Sequence, residues 1–345
     1  MSQLLIELVK HYSPSTQERA AVSHLVEWMR GRGFATTIDD AGNAVGARGA
    51  ADAPHTLLLL GHIDTYPGDL PVRVEDGVLY GRGSVDAKGS LCAFAEAAAA
   101  STISPAWRVI VVGAVEEEAA TSKGAHHIRT TLPQPTLCII GEPSASGRIT
   151  LGYKGRLVLD YRVQQSMAHT ARAEASAAAR GVAFWNAVKE WADSYNEGKT
   201  RAFDQVLAHL RTVNTTTDHV NESCHVAISL RLPLELPPED ALGIVETFVE
   251  GGELTHYGME RAYAADKNNA LVRGLLAAIR AEGMQPNFVM KTGTSDMNVV
   301  GAVWSCPIVA YGPGDSSYDH TPDEQIELAE YERAVAVLKR FIEAL

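Results

Sequence analysis

Cysteine is scarce in this sequence, with 4 among 345 residues, and no two of them stand at a C-x-x-C spacing. This scarcity excludes a disulfide-dense secreted scaffold, a zinc ribbon and a thioredoxin-type redox motif. Cys92 and Cys138 lie in apolar stretches, where a cysteine is most often a buried thiol. Such usage is typical of a reducing compartment, and we therefore expect the protein to be cytoplasmic.

The sequence also lacks a long apolar run and a surplus of basic residues. No uninterrupted apolar stretch approaches the roughly 18 residues of a membrane-spanning helix. Glu7 and Lys10 lie among the leucines of the N-terminal segment, which predicts an amphipathic helix rather than a signal peptide. Lys and Arg total 30 against 42 Asp and Glu, a formal net charge of −12. Nucleic acid and anionic membranes both require a basic surface, so neither is expected as a partner.

Short apolar runs alternate with helical patterns in the first part of the chain, which predicts an α/β fold with a mainly parallel sheet. The runs at 56–60, 108–115 and 136–140 are compact enough to be buried strands. The middle of the chain instead alternates polar and apolar residues in two stretches, each followed by a helical pattern. We therefore predict a smaller α+β domain at 154–260, inserted into a larger catalytic domain formed by 1–153 and 261–345.

Histidine and carboxylate side chains follow the predicted buried strands at their carboxyl ends. His62 and Asp64 come after the first strand, the acidic triplet 116–118 after the second, and Glu142 after the third. The carboxyl ends of parallel strands are where sites form in folds of this class. Three adjacent carboxylates beside an apolar core repel one another unless a positive group lies there.

Two further motifs complete a candidate set of metal ligands. The glycine-bounded loop 81–89 carries Asp86, and His320 precedes the predicted last helix. Histidine and carboxylate are ligands that zinc and cobalt accept, and a pair of ions needs about two terminal ligands each plus a bridging group. The sequence supplies that number and leaves one further glutamate to act on bound water.

The order and spacing of these motifs resemble those of a known family, the co-catalytic zinc aminoacylases and carboxypeptidases. That family includes acetylornithine deacetylase, succinyl-diaminopimelate desuccinylase and glutamate-type carboxypeptidase. The resemblance covers essentially the whole chain, and the phrases VEEEAATSKGA and KTGTSDMN look most like the branch that removes lysine or ornithine from an amino-group carrier protein. The motifs that carry the resemblance are GHIDTYPG, GRGSVDAKG, VEEEAATSKGA, GEPS, GYKG, the SMAHT segment and YGPGDSSYDHTPDE.

The resemblance implies two Zn²⁺ ions in each subunit, with Co²⁺ as a substitute. By analogy, His62, Asp86 and Glu142 would hold one ion. Asp86 would bridge to the second ion, which His320 and a glutamate of the triplet would also hold. Asp64 would orient His62 in the family's manner.

The acidic triplet leaves the register of the catalytic glutamate open. The family pairs a general-base glutamate with an immediately following ligand glutamate. We prefer Glu116 as the base and Glu117 as the ligand, because the predicted strand runs directly into that pair. The alternative is base Glu117 and ligand Glu118. In either register the glutamate would take a proton from zinc-activated water, which attacks the amide carbonyl.

The resemblance also implies residues that contact the substrate. His169 matches a histidine that the family's small domain offers to the active site of a partner subunit, where it would stabilise the oxyanion. The protein would then work as a homodimer through the inserted domain. Arg231 resembles a family arginine that binds a substrate carboxylate, and Gly293 and Thr294 lie in a segment that resembles the substrate loop.

The expected function is release of lysine or ornithine from an amino-group carrier protein or from an N-acyl group, in lysine or arginine biosynthesis. The alternatives within the family are deacetylation of N-acetyl-ornithine or N-acetyl-lysine, and desuccinylation of succinyl-diaminopimelate. A dimetal phosphoesterase is disfavoured because a phosphate-binding P-loop is missing. A non-catalytic member that binds a peptide or carrier is disfavoured by the complete ligand set and the spare glutamate.

Overall fold

The computed structural model describes residues 2–167 and 174–345. The chain forms two compact units, of which the larger comprises Met1–Gly152, Ala265–Met290 and Ser295–Leu345. The smaller unit comprises Tyr153–Ala264 together with the short segment Lys291–Thr294, which the sequence-based boundaries had left in the larger domain. No helix among the described residues has the length and apolarity needed to cross a membrane.

The elements follow one another along the chain with few long connections. In chain order they are α1 (Gln3–Val9), α2 (Arg19–Arg30), β1 (Ala35–Ile38), β2 (Ala44–Arg48), β3 (His55–His62), β4 (Arg73–Glu75), β5 (Val78–Tyr80), α3 (Lys88–Ala100), β6 (Trp107–Ala114), α4 (Lys123–Thr131), β7 (Leu137–Gly141), β8 (Arg148–Tyr153), β9 (Gly155–Ser166), α5 (Ala177–Asn196), β10 (Leu207–Thr217), β11 (Asn221–Leu232), α6 (Pro238–Glu246), β12 (Glu253–Glu260), β13 (Tyr263–Ala264), α7 (Ala270–Ala281), β14 (Asn287–Lys291), α8 (Asp296–Gly301), β15 (Ile308–Ala310), β16 (Gln325–Glu327) and α9 (Leu328–Glu343).

The larger unit is built on a sheet with a parallel centre. Its strand order from one edge is β1-β2-β6-β3-β7-β15-β8. β3 pairs in parallel with β6 and with β7, and β7 pairs in parallel with β15. β1, β2 and β8 are antiparallel to their neighbours. The predicted α/β fold with a mainly parallel sheet is therefore confirmed.

Helix α3 packs closely on the three central strands because each of them carries a glycine beneath it. A Cβ atom on Gly61 or Gly113 would lie 3.2 or 3.1 Å from the Leu91 side chain, and one on Gly141 would lie 2.8 Å from the ring of Phe94. All three distances are tight for a real Cβ atom. The strand ends and the start of α3 are thus held near each other. The four cysteines are all buried and free, as expected for Cys92 and Cys138.

The smaller unit is a four-stranded antiparallel sheet with the order β10-β11-β9-β12. One face packs against α5 and α6 in an apolar core that includes Leu159, Phe184 and Ile228. The other face of β9 and β11 carries polar side chains, which agrees with the two half-exposed strands predicted from the sequence. β10 was not predicted, because most of its residues are exposed and show no apolar alternation.

Candidate metal centre

Three parallel strands end level with one another and bring distant parts of the sequence to one edge of the sheet. Gly61 pairs with Gly113 and with Gly141, so β3, β6 and β7 reach this edge in register. His62 is the last residue of β3, and Glu142 follows β7 directly. The acidic triplet follows β6, and the loop before α3 carries Asp86.

Two groups of ligand atoms form at this edge, and they share Asp86. The ligand atoms of His62, Asp86 and Glu142 lie within 4.8 Å of one another, as do those of Asp86, Glu118 and His320. Asp86 Oδ1 lies 3.2 Å from His62 Nε2, and its Oδ2 lies 3.1 Å from His320 Nε2. Asp86 therefore directs one oxygen toward each group, as a carboxylate that bridges two ions would.

Glu118, and not Glu117, stands in the second group. Its Oε1 lies 3.0 Å from His320 Nε2. Glu116 points elsewhere, because its Oε1 lies 3.5 Å from Lys123 Nζ and its Oε2 accepts a hydrogen bond of 2.8 Å from the Thr121 hydroxyl. This placement fits the alternative register, with base Glu117 and ligand Glu118, better than the preferred one, with base Glu116 and ligand Glu117.

The turn after β6 accounts for this placement of the three carboxylates. The strand ends at Ala114, and Glu116 has a positive φ of 59°, so the chain reverses before the carboxylates reach the cluster. The alternative register, one residue later along the chain, fits the observed geometry. An apolar run locates a strand in the sequence. It does not predict how many residues the following turn contains.

The electrostatics of the cluster favour a cation. Burial raises the pKa of Glu117 well above its usual range; His62 opposes this rise, and the carboxylates of Glu142, Asp296 and Glu118 add to it. Burial likewise raises the pKa of Glu118, with Asp86 adding to the shift. Several partly desolvated carboxylates in one place require positive charge nearby.

His320 and Asp86 shift each other's pKa because they lie close together in this cluster. Burial lowers the pKa of His320, but hydrogen bonds to Asp86 and Glu118 outweigh it and raise that pKa to about 11. Although burial favours the neutral acid, hydrogen bonds from His320 and His62 hold the pKa of Asp86 well below its usual range. Metal binding requires neutral imidazoles, so divalent ions would take the place of these protons. The donor set of histidine nitrogens and carboxylate oxygens fits zinc.

Asp64 holds the acidic loop as well as the histidine. His62 Nδ1 lies 3.0 Å from the backbone oxygen of Asp64 and 3.6 Å from its Oδ1. The Asp64 carboxylate accepts hydrogen bonds of 3.0 Å from the backbone N–H groups of both Glu117 and Glu118, and one of 2.7 Å from the Ser15 hydroxyl. This buried carboxylate therefore fixes the loop that carries the glutamates.

A second buried carboxylate continues this arrangement and was missed from the sequence. Glu18 accepts a hydrogen bond of 3.2 Å from the backbone N–H of Glu116 and one of 2.8 Å from that of Thr16. Glu18 and Glu116 are 98 positions apart in the chain, so no local pattern could reveal the contact. All three backbone N–H groups of the triplet are thus held by carboxylates.

The predicted substrate residues lie mainly in the smaller unit. The Arg231 guanidinium donates a hydrogen bond to the Thr294 hydroxyl, and Arg231 pairs across the sheet with Arg156. No atom stands within 4 Å of the place where a Cβ on Gly293 would lie, so packing does not require glycine there. His169 lies outside the described residues, and its role stays a prediction.

A parallel α/β fold with histidines and carboxylates gathered at its strand ends is the architecture of a metal-dependent hydrolase. The model of Peptidase family M20/M25/M40 matches residues 58–344, and the chain belongs to this family. A LysW-lysine hydrolase of Deinococcus radiodurans is 47% identical over 97% of this chain and 94% of its own length. A putative LysW-lysine/LysW-ornithine hydrolase of Thermococcus kodakarensis is 38% identical over 99% of this chain and 91% of its own length.

Solved structures share the fold at low sequence identity. The M20 family metallo-carboxypeptidase Sso-CP2 of Sulfolobus solfataricus has a TM-score of 0.80 at 17% identity, over 99% of both chains. The YXEP protein of Bacillus subtilis, a dinuclear metal-binding peptidase of the M20 family, has a TM-score of 0.70 at 11% identity, over 99% of this chain and 96% of its own. The resemblance found in the sequence is therefore confirmed, and so is the expected class, a metal-dependent hydrolase.

Proposed function

We propose that this protein is a cytoplasmic two-zinc amidohydrolase that releases lysine or ornithine from an amino-group carrier protein in lysine or arginine biosynthesis. The observation that carries the proposal is Asp86, which directs one carboxylate oxygen to each of two ligand groups. The choice of substrate is supported by the names of the relatives in Deinococcus and Thermococcus, both LysW-amino-acid hydrolases.

We assign one ion to each of the two ligand groups. His62, Asp86 and Glu142 would hold one zinc ion, and Asp86, Glu118 and His320 would hold the other. Co²⁺ accepts the same ligands and would substitute. When bound, the ions would polarise the amide carbonyl and make the attacking water more acidic.

Glu117 is the proposed general base. Its carboxylate belongs to neither ligand group, yet it lies close enough to His62, Glu142 and Glu118 to interact with all of them electrostatically. Glu117 would take the proton from the attacking water and return it to the nitrogen of the leaving amine, because an amine leaves readily only when protonated.

The remaining residues would bind the substrate. Arg231 and Thr294 would hold a substrate carboxylate, since a guanidinium and a hydroxyl together provide the donors that such a group needs. Gly293 would place its backbone beside the same ligand. His169 would stabilise the oxyanion in the partner subunit of a homodimer formed through the inserted domain.

Hydrolysis assays with a small panel of substrates test this function. The zinc-loaded enzyme is given carrier-linked lysine, N-acetyl-lysine, N-acetyl-ornithine and succinyl-diaminopimelate, and the release of free amine is measured. We expect the highest kcat/KM for carrier-linked lysine. A preference for an acetyl compound would move the assignment to the deacetylases, and activity on the succinyl compound alone would overturn the lysine/ornithine assignment.

A further inference from the structure

A buried glutamate outside the ligand groups holds the loop that carries Asp86. The side chain of Glu324 is only 1% exposed, and its Oε1 accepts hydrogen bonds from the backbone N–H groups of Gly83 at 2.8 Å, Val85 at 3.3 Å and Asp86 at 3.2 Å. The last of these donors belongs to the residue that directs an oxygen to each ligand group. The backbone of Asp86 is therefore tied directly to Glu324.

The other oxygen of Glu324 forms an ion pair with Arg82. Arg82 Nη1 lies 2.7 Å from Glu324 Oε2, and the Arg82 side chain is 6% exposed. Arg82 also donates to the backbone oxygen of Gly68 at 2.9 Å and to that of Thr321 at 3.2 Å. Since Thr321 follows His320 in the chain, Arg82 connects the Asp86 loop to the segment that carries the second histidine.

Tyr66 adds a second connection between Arg82 and His320. The ring of Tyr66 stacks on the imidazole of His320 with 4.4 Å between the centroids. The guanidinium carbon of Arg82 lies 5.9 Å from the centroid of the Tyr66 ring, within range of a cation–π interaction. Arg82 thus contacts two neighbours of His320: Thr321, the next residue in the chain, and Tyr66, which stacks on the imidazole.

The strand that follows Glu324 keeps this carboxylate in place. Gln325 in β16 pairs with Tyr80 in β5, and the backbone oxygen of Glu324 accepts a hydrogen bond of 3.2 Å from the N–H of Gly81. The start of the Asp86 loop is thereby attached to Glu324 and the beginning of β16. Replacing a buried ion pair by apolar residues is often neutral or stabilising, so stability alone gives little reason for this pair.

We propose that Glu324 and Arg82 are positioning residues, which set the separation and orientation of Asp86 and His320 so that one carboxylate serves two ions. This inference rests on the two-ion site proposed above. Loss of an outer hydrogen-bond partner of a ligand typically lowers metal affinity about 10- to 100-fold. The effect on the metal should therefore exceed the effect of removing a similar carboxylate elsewhere in the same unit.

The test uses the variant Glu324→Gln and the matched control Glu330→Gln. Glu330 also accepts hydrogen bonds from a serine and an arginine, Ser146 at 2.8 Å and Arg333 at 2.9 Å, but it does not contact the ligand groups. Zinc affinity is measured by competition with a chromophoric chelator, and the visible absorption of the Co²⁺-loaded protein reports the coordination geometry. We expect Glu324→Gln to weaken zinc binding about 10- to 100-fold and to change the cobalt spectrum, and the control to leave both at wild-type values.

Several outcomes would overturn the inference. A folded Glu324→Gln protein with wild-type zinc affinity and an unchanged cobalt spectrum contradicts it, and so does an equal loss of affinity in the Glu330→Gln control. If Glu324→Gln does not fold, Arg82→Lys replaces it, and unchanged metal affinity in that variant has the same meaning. Failure of the wild-type protein to bind two zinc ions would instead contradict the proposed function.

Discussion

The register of the acidic triplet can be decided by three single substitutions, each of which replaces a carboxylate by an amide of the same shape. Glu116→Gln removes a carboxylate that contacts Lys123 and Thr121, outside both ligand groups. Glu117→Gln removes the proposed base, and Glu118→Gln removes a proposed metal ligand next to His320. The three variants therefore differ in what they should do to turnover and to the metal.

The three substitutions should differ in how strongly they change kcat, stability and metal binding. A general base contributes about 10²- to 10⁴-fold to a rate, so Glu117→Gln should lower kcat by that factor, about 3–5 kcal/mol, with both metal ions retained. Glu116→Gln loses an ion pair to Lys123, whose side chain is 52% exposed, and such pairs contribute about 1 kcal/mol or less to stability. Its kcat should change by less than about twofold, because Glu116 does not touch the reacting groups. Glu118→Gln should lose both activity and tight binding of one ion.

The assay combines steady-state hydrolysis of carrier-linked lysine with a metal analysis of each purified variant. The metal analysis is essential because Glu117→Gln and Glu118→Gln should both lower turnover strongly but only the second should release an ion. A large loss of kcat in Glu116→Gln, together with loss of an ion from Glu117→Gln and near-normal turnover and metal content in Glu118→Gln, would refute the register and the reasoning from the turn after β6.

Four further outcomes are expected. Removal of metal by a chelator should abolish hydrolysis, and added Zn²⁺ or Co²⁺ should restore it; activity that survives complete removal would contradict the metal mechanism. Asp64→Asn should lower the free energy of unfolding by about 1–3 kcal/mol in denaturant titrations, because one backbone N–H of the acidic loop would face an amide NH₂ group. Arg231→Gln should raise KM about 10- to 100-fold with a smaller change in kcat, and the opposite split would argue against carboxylate binding. Burial raises the pKa of Glu96 from its ordinary 4.5 to about 7. Between pH 4.5 and pH 7 this group ionises in the unfolded chain but stays neutral in the folded protein, so the free energy of unfolding should fall as the pH rises through this range. Glu96→Gln should remove that loss, at most about 2 kcal/mol after allowance for partial exposure, and Tm measured across this pH range checks it.

The sequence allowed the central sheet and most of the ligand candidates to be predicted, because both depend on local patterns. The run Leu57–Leu60 is apolar throughout and can only be a buried element, and a carboxylate or histidine directly after such a run must lie at the edge of the sheet. The predicted candidates His62, Asp86, Glu142 and His320 indeed stand together in the structure. Their roles toward an ion stay proposals.

What could not be predicted depends on turn geometry or on contacts between distant residues. The carboxylate beside His320 is Glu118, one residue after the preferred ligand Glu117, because the length of the turn at Glu116 is not encoded in the apolar pattern. The contacts of Glu18 with Glu116 and of Glu324 with the Asp86 loop could not be predicted, since these backbone groups are 98 and about 240 positions away. β10 has few inward-facing apolar residues, so its pairing with β11, and not its own sequence, makes it a strand.

The three glycines under α3 set the distance between this helix and the sheet, because a side chain at any of them would push the helix away. α3 begins at Lys88, two positions after Asp86, so the height of this helix above the sheet also sets the height of the Asp86 carboxylate. A single methyl group at Gly141 would meet Phe94 at 2.8 Å and act as a spacer under the helix. A substitution at Gly141 would therefore shift the start of α3, and with it Asp86, while every ligand candidate keeps its identity.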